Sequence, residues 1–142
     1  MSQDLLYQVG LTMIEGIGDV NAKALLAYCG SAREVFAQRA GHLRRIPGIG
    51  DRLAKSVVKS GTVLRRAEEE VRFIEKYLIT PLFFSDPRYP SRLRYCSDAP
   101  VMLYYKGTAD LNAEKIVAIV GTRRPSEYGK QKTEELLGEL QG

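Results

Sequence analysis

The sequence predicts an all-α bundle in its first half, followed by the beginning of an α/β domain. An internal repeat of helical segments around glycine turns indicates the bundle, and a long amphipathic stretch extends it. The remainder changes to short β-branched and aromatic runs, the last of which leads through a glycine loop into a further helical segment. We therefore expect two domains, at residues 1–79 and 80–142.

The composition is that of a soluble globular protein. Of the 142 residues, 44% are hydrophobic and 27% are charged, and no apolar run is long enough to cross a membrane. The N-terminal residues lack the features of a signal peptide. Two isolated cysteines and a single histidine offer no metal-ligand spacing, so we expect a cytoplasmic protein without a metal or cofactor.

The first half contains an internal repeat. Residues 16–26 read GIGDVNAKALL and residues 48–58 read GIGDRLAKSVV, with six identical positions at an offset of 32. Helical segments are predicted on both sides of each copy, so each unit reads helix, Gly-Ile-Gly turn, helix. The predicted helices around the repeat span residues Leu5–Met13, Asn21–Tyr28, Ser31–Leu43 and Arg52–Lys59.

The glycines of the repeat indicate a phosphate-binding turn. Glycine permits positive φ and close approach of a ligand to the backbone, and the helix that follows points its free amides the same way. These amides and the helix dipole form an anion site, which the repeated lysine reaches one turn later. The candidate residues for phosphate contact are Gly16, Gly18 and Lys23 in the first copy, with Gly48, Ile49, Gly50, Arg52 and Lys55 in the second.

The pattern resembles the helix-hairpin-helix family in its tandem, SAM-like form, whose hairpins hold DNA backbones without reading bases. The second copy is the better match, because seven basic residues and one carboxylate, Asp51, lie between Arg44 and Arg66. In the first copy Glu15 stands where the second has Pro47, and a carboxylate repels phosphate. We expect the first hairpin to bind weakly or to serve as scaffold. The alternative for both hairpins is that they only pack helices together.

A long helix is predicted at residues 61–79. Its apolar side chains recur at helical spacing and form one buried stripe, which implies packing and no chemistry. The stripe consists of Leu64, Ala67, Val71, Ile74 and Leu78.

The second half has the pattern of a Rossmann-like opening. Strands are predicted at Leu82–Phe84, Val101–Tyr105 and Ile116–Val120, and the last runs through a glycine loop into a helix from Glu127 to Leu140. The loop lacks the GxGxxG spacing of dinucleotide sites, so a nicotinamide cofactor is not expected. Its glycines, hydroxyls and arginines suit a phosphate instead. The candidate loop residues are Gly121, Thr122, Arg123, Arg124, Ser126 and Gly129.

Several motifs of the second half resemble the DNA processing protein A family, called DprA or Smf. They are Asp86-Pro87-Arg88-Tyr89-Pro90, Asp98-Ala99-Pro100, Leu103-Tyr104-Tyr105-Lys106-Gly107, Val117-Ala118-Ile119-Val120-Gly121-Thr122-Arg123 and Ser126-Glu127-Tyr128-Gly129. The helical hairpins that precede them also fit the family's layout.

The resemblance implies a non-catalytic, cytoplasmic bacterial protein that binds and protects single-stranded DNA and loads the RecA recombinase during natural transformation. It also implies that Gly121, Arg123, Ser126 and Gly129 line the strand-binding pocket, with Arg123 on a phosphate. The family's Rossmann-like domain continues well past the glycine loop. We therefore expect the rest of the sheet, a homodimer surface and the RecA contact surface to lie outside these residues.

Two other functions fit parts of the sequence. One is a nucleotide-binding Rossmann enzyme resembling phosphoribohydrolases, although the loop offers Glu127 as its only acid. The other is a helix-hairpin-helix interaction module that binds no DNA. Because so few strands are marginal alone, we also expect residues 81–142 to pack against the hairpin module or against a second copy, and to bind DNA weakly.

Overall fold

The computed structural model describes residues 3–140, which form eight helices and two short strands. In chain order these are α1 (Gln3–Thr12), α2 (Asp19–Cys29), α3 (Ala32–Ala37), α4 (Ala40–Leu43), α5 (Asp51–Val58), α6 (Gly61–Lys76), β1 (Thr80–Phe83), α7 (Ser91–Arg94), β2 (Met102–Tyr105) and α8 (Glu127–Leu140). No helix in this described range combines the length and the apolar content that a bilayer-crossing segment needs.

The chain divides into two compact units, Met1–Asn112 and Ala113–Gly142. The first holds α1 to α7 and both strands, and the second holds α8. Phe83, Val101 and Met102 belong to the same buried core as the helices, so residues 80–112 pack against the helical bundle. The proposed division between residues 79 and 80 follows the change in composition and stays a prediction.

Each copy of the repeat forms two helices joined by the predicted turn. The first turn lies between α1 and α2, and the second between α4 and α5. The central isoleucines, Ile17 and Ile49, are buried, and each donates its amide to the carbonyl three residues earlier. They hold the turns against the core, which leaves the flanking glycines exposed at the surface.

The helix predicted at Ser31–Leu43 is two helices. Ser31 caps α3 by accepting the Glu34 amide at 3.1 Å, and α3 ends before Gln38, which has an extended backbone. The chain resumes as the short helix α4 and buries Leu43 completely. Helical propensity is only a weak bias, and here the packing of both segments overrides it.

Helix α6 confirms the apolar stripe except at its end. Ala67, Val71 and Ile74 are buried, but the helix stops at Lys76 and leaves the side chain of Leu78 82% exposed. Leu78 has a left-handed φ of 52°, and the following Ile79 donates its amide back to the Ile74 carbonyl. This is the arrangement by which glycine commonly ends a helix, and it rotates Leu78 away from the core.

The two strands pair antiparallel, with Thr80 opposite Tyr105 and Phe83 opposite Met102. They confirm the first two predicted strands with small changes of bounds. The strand predicted at Ile116–Val120 is wrong for this structure, because that segment is exposed and forms no strand pairing. The Rossmann-like opening is therefore not confirmed, although helix α8 spans the predicted Glu127–Leu140.

Candidate nucleic-acid interface

The second hairpin presents unpaired backbone amides at the surface. Gly48 has a φ of 82°, which a side chain would strain, whereas Gly50 is extended with a φ of −74°. A Cβ atom added at Gly50 would meet nothing within 4 Å, so the space in front of that backbone is open. Within the part of the chain that the structure describes, the amides of Gly48 and Gly50 have no protein acceptor, and α5 begins without a side-chain cap. These are the properties of an anion-binding turn.

The first glycine of each hairpin lies against the helix that follows the other hairpin. A Cβ atom at Gly16 would lie 3.1 Å from the Leu53 side chain, and one at Gly48 would lie 3.4 Å from Asn21. Leu53 and Asn21 occupy the same position of the repeat, 32 residues apart. Each hairpin therefore contacts the second helix of the other copy.

Identical residues of the two copies make different contacts. In the first copy Asp19 accepts the Val101 amide at 2.8 Å, and Lys23 donates to the carbonyls of Ser97 at 3.1 Å and Cys96 at 3.5 Å. Both residues thus hold the segment that leads into β2. Lys23 was predicted to contact phosphate, and that contact stays a prediction.

In the second copy the same two residue types face each other. Asp51 accepts from Lys55 at 2.6 Å and pairs with Arg44 at 3.0 Å, at the open end of α5. The hydrogen bond from Lys55, helped by the charges of Lys55 and Arg44, lowers the pKa of Asp51. All three side chains are at least half exposed, so they remain accessible to a ligand.

A basic groove runs along α5, on the side of that helix that faces the first hairpin. It encloses about 390 Å³ between the first hairpin and α5, with Arg52, Lys55 and Lys59 on one side and Glu15 on the other. Among the described residues, Arg52 and Lys59 have no carboxylate partner. Their spacing places them on the same side of α5, where both can contact a polyanion bound in the groove.

The loop residues predicted to bind phosphate belong to the second unit. Ser126 caps α8 by accepting the Gly129 amide at 3.1 Å, and Thr122 donates to the Arg124 carbonyl at 2.9 Å, so both hydroxyls have local partners. A Cβ atom at Gly121 would meet nothing within 4 Å. Arg123 and Arg124 are exposed, and neither forms an ion pair within the described residues.

The motif at residues 86–90 has a structural role that sequence reasoning missed. Asp86 accepts the Arg88 amide at 2.8 Å and its guanidinium at 2.8 and 3.1 Å, which lowers the pKa of Asp86. Tyr89 is fully buried and donates its hydroxyl to the Pro100 carbonyl at 2.7 Å. Asn112 accepts the Ser91 amide at 2.7 Å and closes the loop. The dense run of turn-forming residues was the available signal.

Comparison with known proteins finds two family models. Residues 9–60 match the SAM-like helix-hairpin-helix tandem, which confirms the tandem repeat. Residues 80–142 match DNA recombination-mediator protein A. No solved structure matches the chain significantly.

Two curated proteins are similar to the chain. Protein Smf of Synechocystis sp. is 26% identical over 136 residues, which cover 92% of the chain and 33% of that protein. DNA processing protein DprA of Streptococcus pneumoniae is 41% identical over 56 residues, which cover 39% of the chain and 20% of that protein. The chain thus spans at most about a third of the length of these relatives.

Proposed function

Because the chain belongs to the DprA/Smf family, we propose that it binds single-stranded DNA without catalysing a reaction, and that its second hairpin makes the principal contact. The name of one relative supports a role in DNA processing, and the description of the matching family model supports a role in recombination. The hairpin geometry supports a backbone contact, since exposed glycine amides and adjacent cations suit phosphate whatever the base sequence.

The difference between the two hairpins carries this proposal. A pair of equivalent hairpins side by side suits the two strands of a duplex, because both strands then meet the same set of donors. Here the second copy supplies Arg52 and Lys59, which have no carboxylate partner among the described residues, whereas Asp19 and Lys23 of the first copy turn away from their own hairpin and hold residues 96–101. Glu15 adds a negative charge at the first turn. If only one hairpin binds phosphate, the protein holds one DNA backbone, which favours single-stranded over duplex DNA.

The glycine loop is the second proposed contact. Gly121 leaves the backbone open and Arg123 is exposed beside it, so a phosphate can approach both. In this proposal residues 116–120 become the first parallel strand of a Rossmann-like sheet when neighbouring strands are present. Loading of RecA, a homodimer and a cytoplasmic location are proposed for the whole protein from family membership alone.

A salt titration tests the proposal. Binding of a fluorescent oligo(dT) and of a matched duplex is measured over a range of salt concentrations, and we expect the single strand to bind more tightly. For a single strand, each lost phosphate contact lowers the slope of log K against log salt by about 0.7. Lys55→Ala is expected to lower the slope by one such step, whereas Lys76→Ala, an exposed lysine at the end of α6, leaves it unchanged. Equal affinity for duplex, or an unchanged slope in Lys55→Ala, contradicts the proposal.

A further inference from the structure

A cleft lies between the first repeat and the end of β1. It encloses about 500 Å³, and its wall includes Leu26 from α2 and Phe84, which follows β1. Polar side chains around it include Asp4, Gln8, Lys23 and Arg33. We call this cleft, defined by Gln8, Lys23, Leu26, Arg33, Phe84 and Ser85, the junction groove. Its size is that of a pocket for a small organic molecule or a single nucleotide.

The junction groove continues into a second cavity. This cavity of about 310 Å³ shares Lys23, Phe84 and Ser85 with the first and adds Arg94. The two cavities, which we together call the channel, therefore adjoin at Phe84 and Lys23, with Arg33 lining the first and Arg94 lining the second.

The aromatic ring at the centre is held in place. The Phe84 amide donates to the Val101 carbonyl at 2.8 Å, and its ring meets Phe83 edge to face with 5.4 Å between centroids. Phe83 is buried, whereas Phe84 is only half-buried and lines both cavities. A fixed, partly exposed aromatic ring is the element on which single-strand binding proteins stack a base.

The charge of the channel is complementary to a nucleotide. Lys23, Arg33 and Arg94 surround it, and Asp4 is the only carboxylate among the residues found to line the two cavities. The Lys23 ammonium has three donors, of which two are directed at the Ser97 and Cys96 carbonyls. The third remains for a phosphate oxygen. An aromatic ring flanked by cations can stack on a base while the cations contact the phosphates on either side of that base.

We propose that the junction groove binds an unpaired nucleotide of single-stranded DNA, with its base on Phe84 and its phosphate between Lys23 and Arg33. This site rests on the proposed single-strand binding and adds a base contact to the backbone contacts of the second hairpin. A paired base is stacked within its duplex and does not reach Phe84, so the groove also selects for single strands.

Photo-crosslinking of the intact chain tests the site directly. An oligo(dT) that carries 5-iodouracil is irradiated with the protein, and the crosslinked tryptic peptides are identified by mass spectrometry. The expected peptide is Tyr77–Arg88, which contains Phe84. A crosslink confined to other peptides overturns the site.

Substitutions provide the second measurement. Phe84→Leu keeps an apolar side chain but removes the stacking surface, and we expect it to weaken oligo(dT) binding at least about fivefold. Phe73→Leu, at an aromatic residue exposed on α6, is the matched control and should bind normally. Arg33→Gln should lower the salt slope, whereas Arg72→Gln, at an exposed arginine of α6, should not.

The outcomes separate the groove from the hairpin. If the unmodified chain binds oligo(dT) but Phe84→Leu and Arg33→Gln bind as their controls do, the groove proposal is wrong and the hairpin proposal stands. If the unmodified chain binds no oligo(dT) at all, the proposed function fails and the groove site fails with it. Circular dichroism shows whether Phe84→Leu remains folded. If it unfolds, the crosslink made with the unmodified chain decides whether the base lies at Phe84.

Discussion

Asp19 and Asp51 are the same residue of the repeat, at the first position of α2 and α5, yet their carboxylates have different partners. Asp19 is half-buried and accepts the amide of the buried Val101, whereas Asp51 is exposed and pairs with Lys55 and Arg44. A buried amide without an acceptor costs about 1–3 kcal/mol, while an exposed ion pair contributes about 0–1 kcal/mol. One copy of the repeat therefore stabilises the fold, and the other leaves its charges available.

Alanine at these two positions should separate stability from binding. Both variants lose a carboxylate from the first turn of a helix, so the difference between them reflects their other partners. We expect Asp19→Ala to lower the free energy of unfolding by about 1 kcal/mol more than Asp51→Ala, measured by urea denaturation. Asp51→Ala should also tighten oligo(dT) binding, because it releases Lys55 and Arg44 and removes a charge that repels phosphate. Equal unfolding free energies would show that the Val101 contact contributes little.

The hairpins place two glycines in two different conformations, and only the first of each pair requires positive φ. Gly18 and Gly50 are both extended, both precede a helix, and both have open space where a Cβ atom would lie. Backbone strain therefore does not explain why glycine occupies these two positions. At Gly50 an open backbone beside cations is what close approach of a phosphate needs.

Gly18→Ala and Gly50→Ala make a matched pair at the level of the turn. Each should cost the same small amount of stability, about 0.5–1 kcal/mol, because alanine is a poorer residue than glycine before a helix. Only Gly50→Ala should weaken DNA binding, since its Cβ atom enters the phosphate site of the second hairpin. Thermal unfolding and oligo(dT) binding are measured for both. Equal loss of binding would show that the first hairpin also contacts DNA.

The loop from Asp86 to Arg94 should loosen in acid. Its hydrogen bonds from Arg88 hold the pKa of Asp86 below the ordinary value of about 3.9. The stability from this group is therefore complete above that ordinary value and is lost as the pH falls through the lower pKa of the folded state. Asp86→Asn removes this dependence, so the unfolding free energy of the wild type should fall more steeply below pH 4 than that of the variant. Parallel curves would contradict the assignment.

The elements were predictable where local periodicity and turn chemistry agree with packing. Both Gly-Ile-Gly turns, the buried isoleucines and α8 follow directly from the sequence. The break between α3 and α4 was not predictable, since Gln38 and Arg39 are ordinary helix residues and only tertiary packing separates the two helices. The predicted burial of Leu78 was wrong because Leu78 adopts the left-handed conformation that ends α6. The sequence gives no sign of that conformation, since the residue is not a glycine.

The candidate site was predictable as a set of residues but not as an arrangement. The repeat identifies the glycines and the lysines, and the excess of basic residues singles out the second copy. The diversion of Asp19 and Lys23 depends on the backbone of residues 96–101, far away in sequence. Hydrogen bonds to backbone groups leave no residue-type signal, so sequence alone treats the two lysines as equivalent.

At the scale of the whole molecule, the two compact units differ in how far they bury their apolar side chains. In the first unit the strands and helices share one core. In the second, the side chains of Ile116, Val117, Ile119 and Val120 are 49–93% exposed, and no residue of α8 is buried. A continuous β-branched run is typical of a parallel strand covered on both faces. Such a strand needs neighbouring strands, and no strand pairing forms there within the described residues.

Hydrogen exchange should expose this difference. We expect the amides of residues 117–120 to exchange rapidly in this chain, because they have no strand partner, while those of β1 and β2 that are paired are protected. In a longer family member that supplies the adjacent strands, the corresponding amides should become protected and the binding of oligo(dT) should gain the contribution of Gly121 and Arg123. Arg123→Ala should then weaken binding more in the longer protein than in this chain. Slow exchange at residues 117–120 in this chain alone would show that the strand forms without neighbours, and would contradict the dependence of the glycine loop on the rest of a sheet.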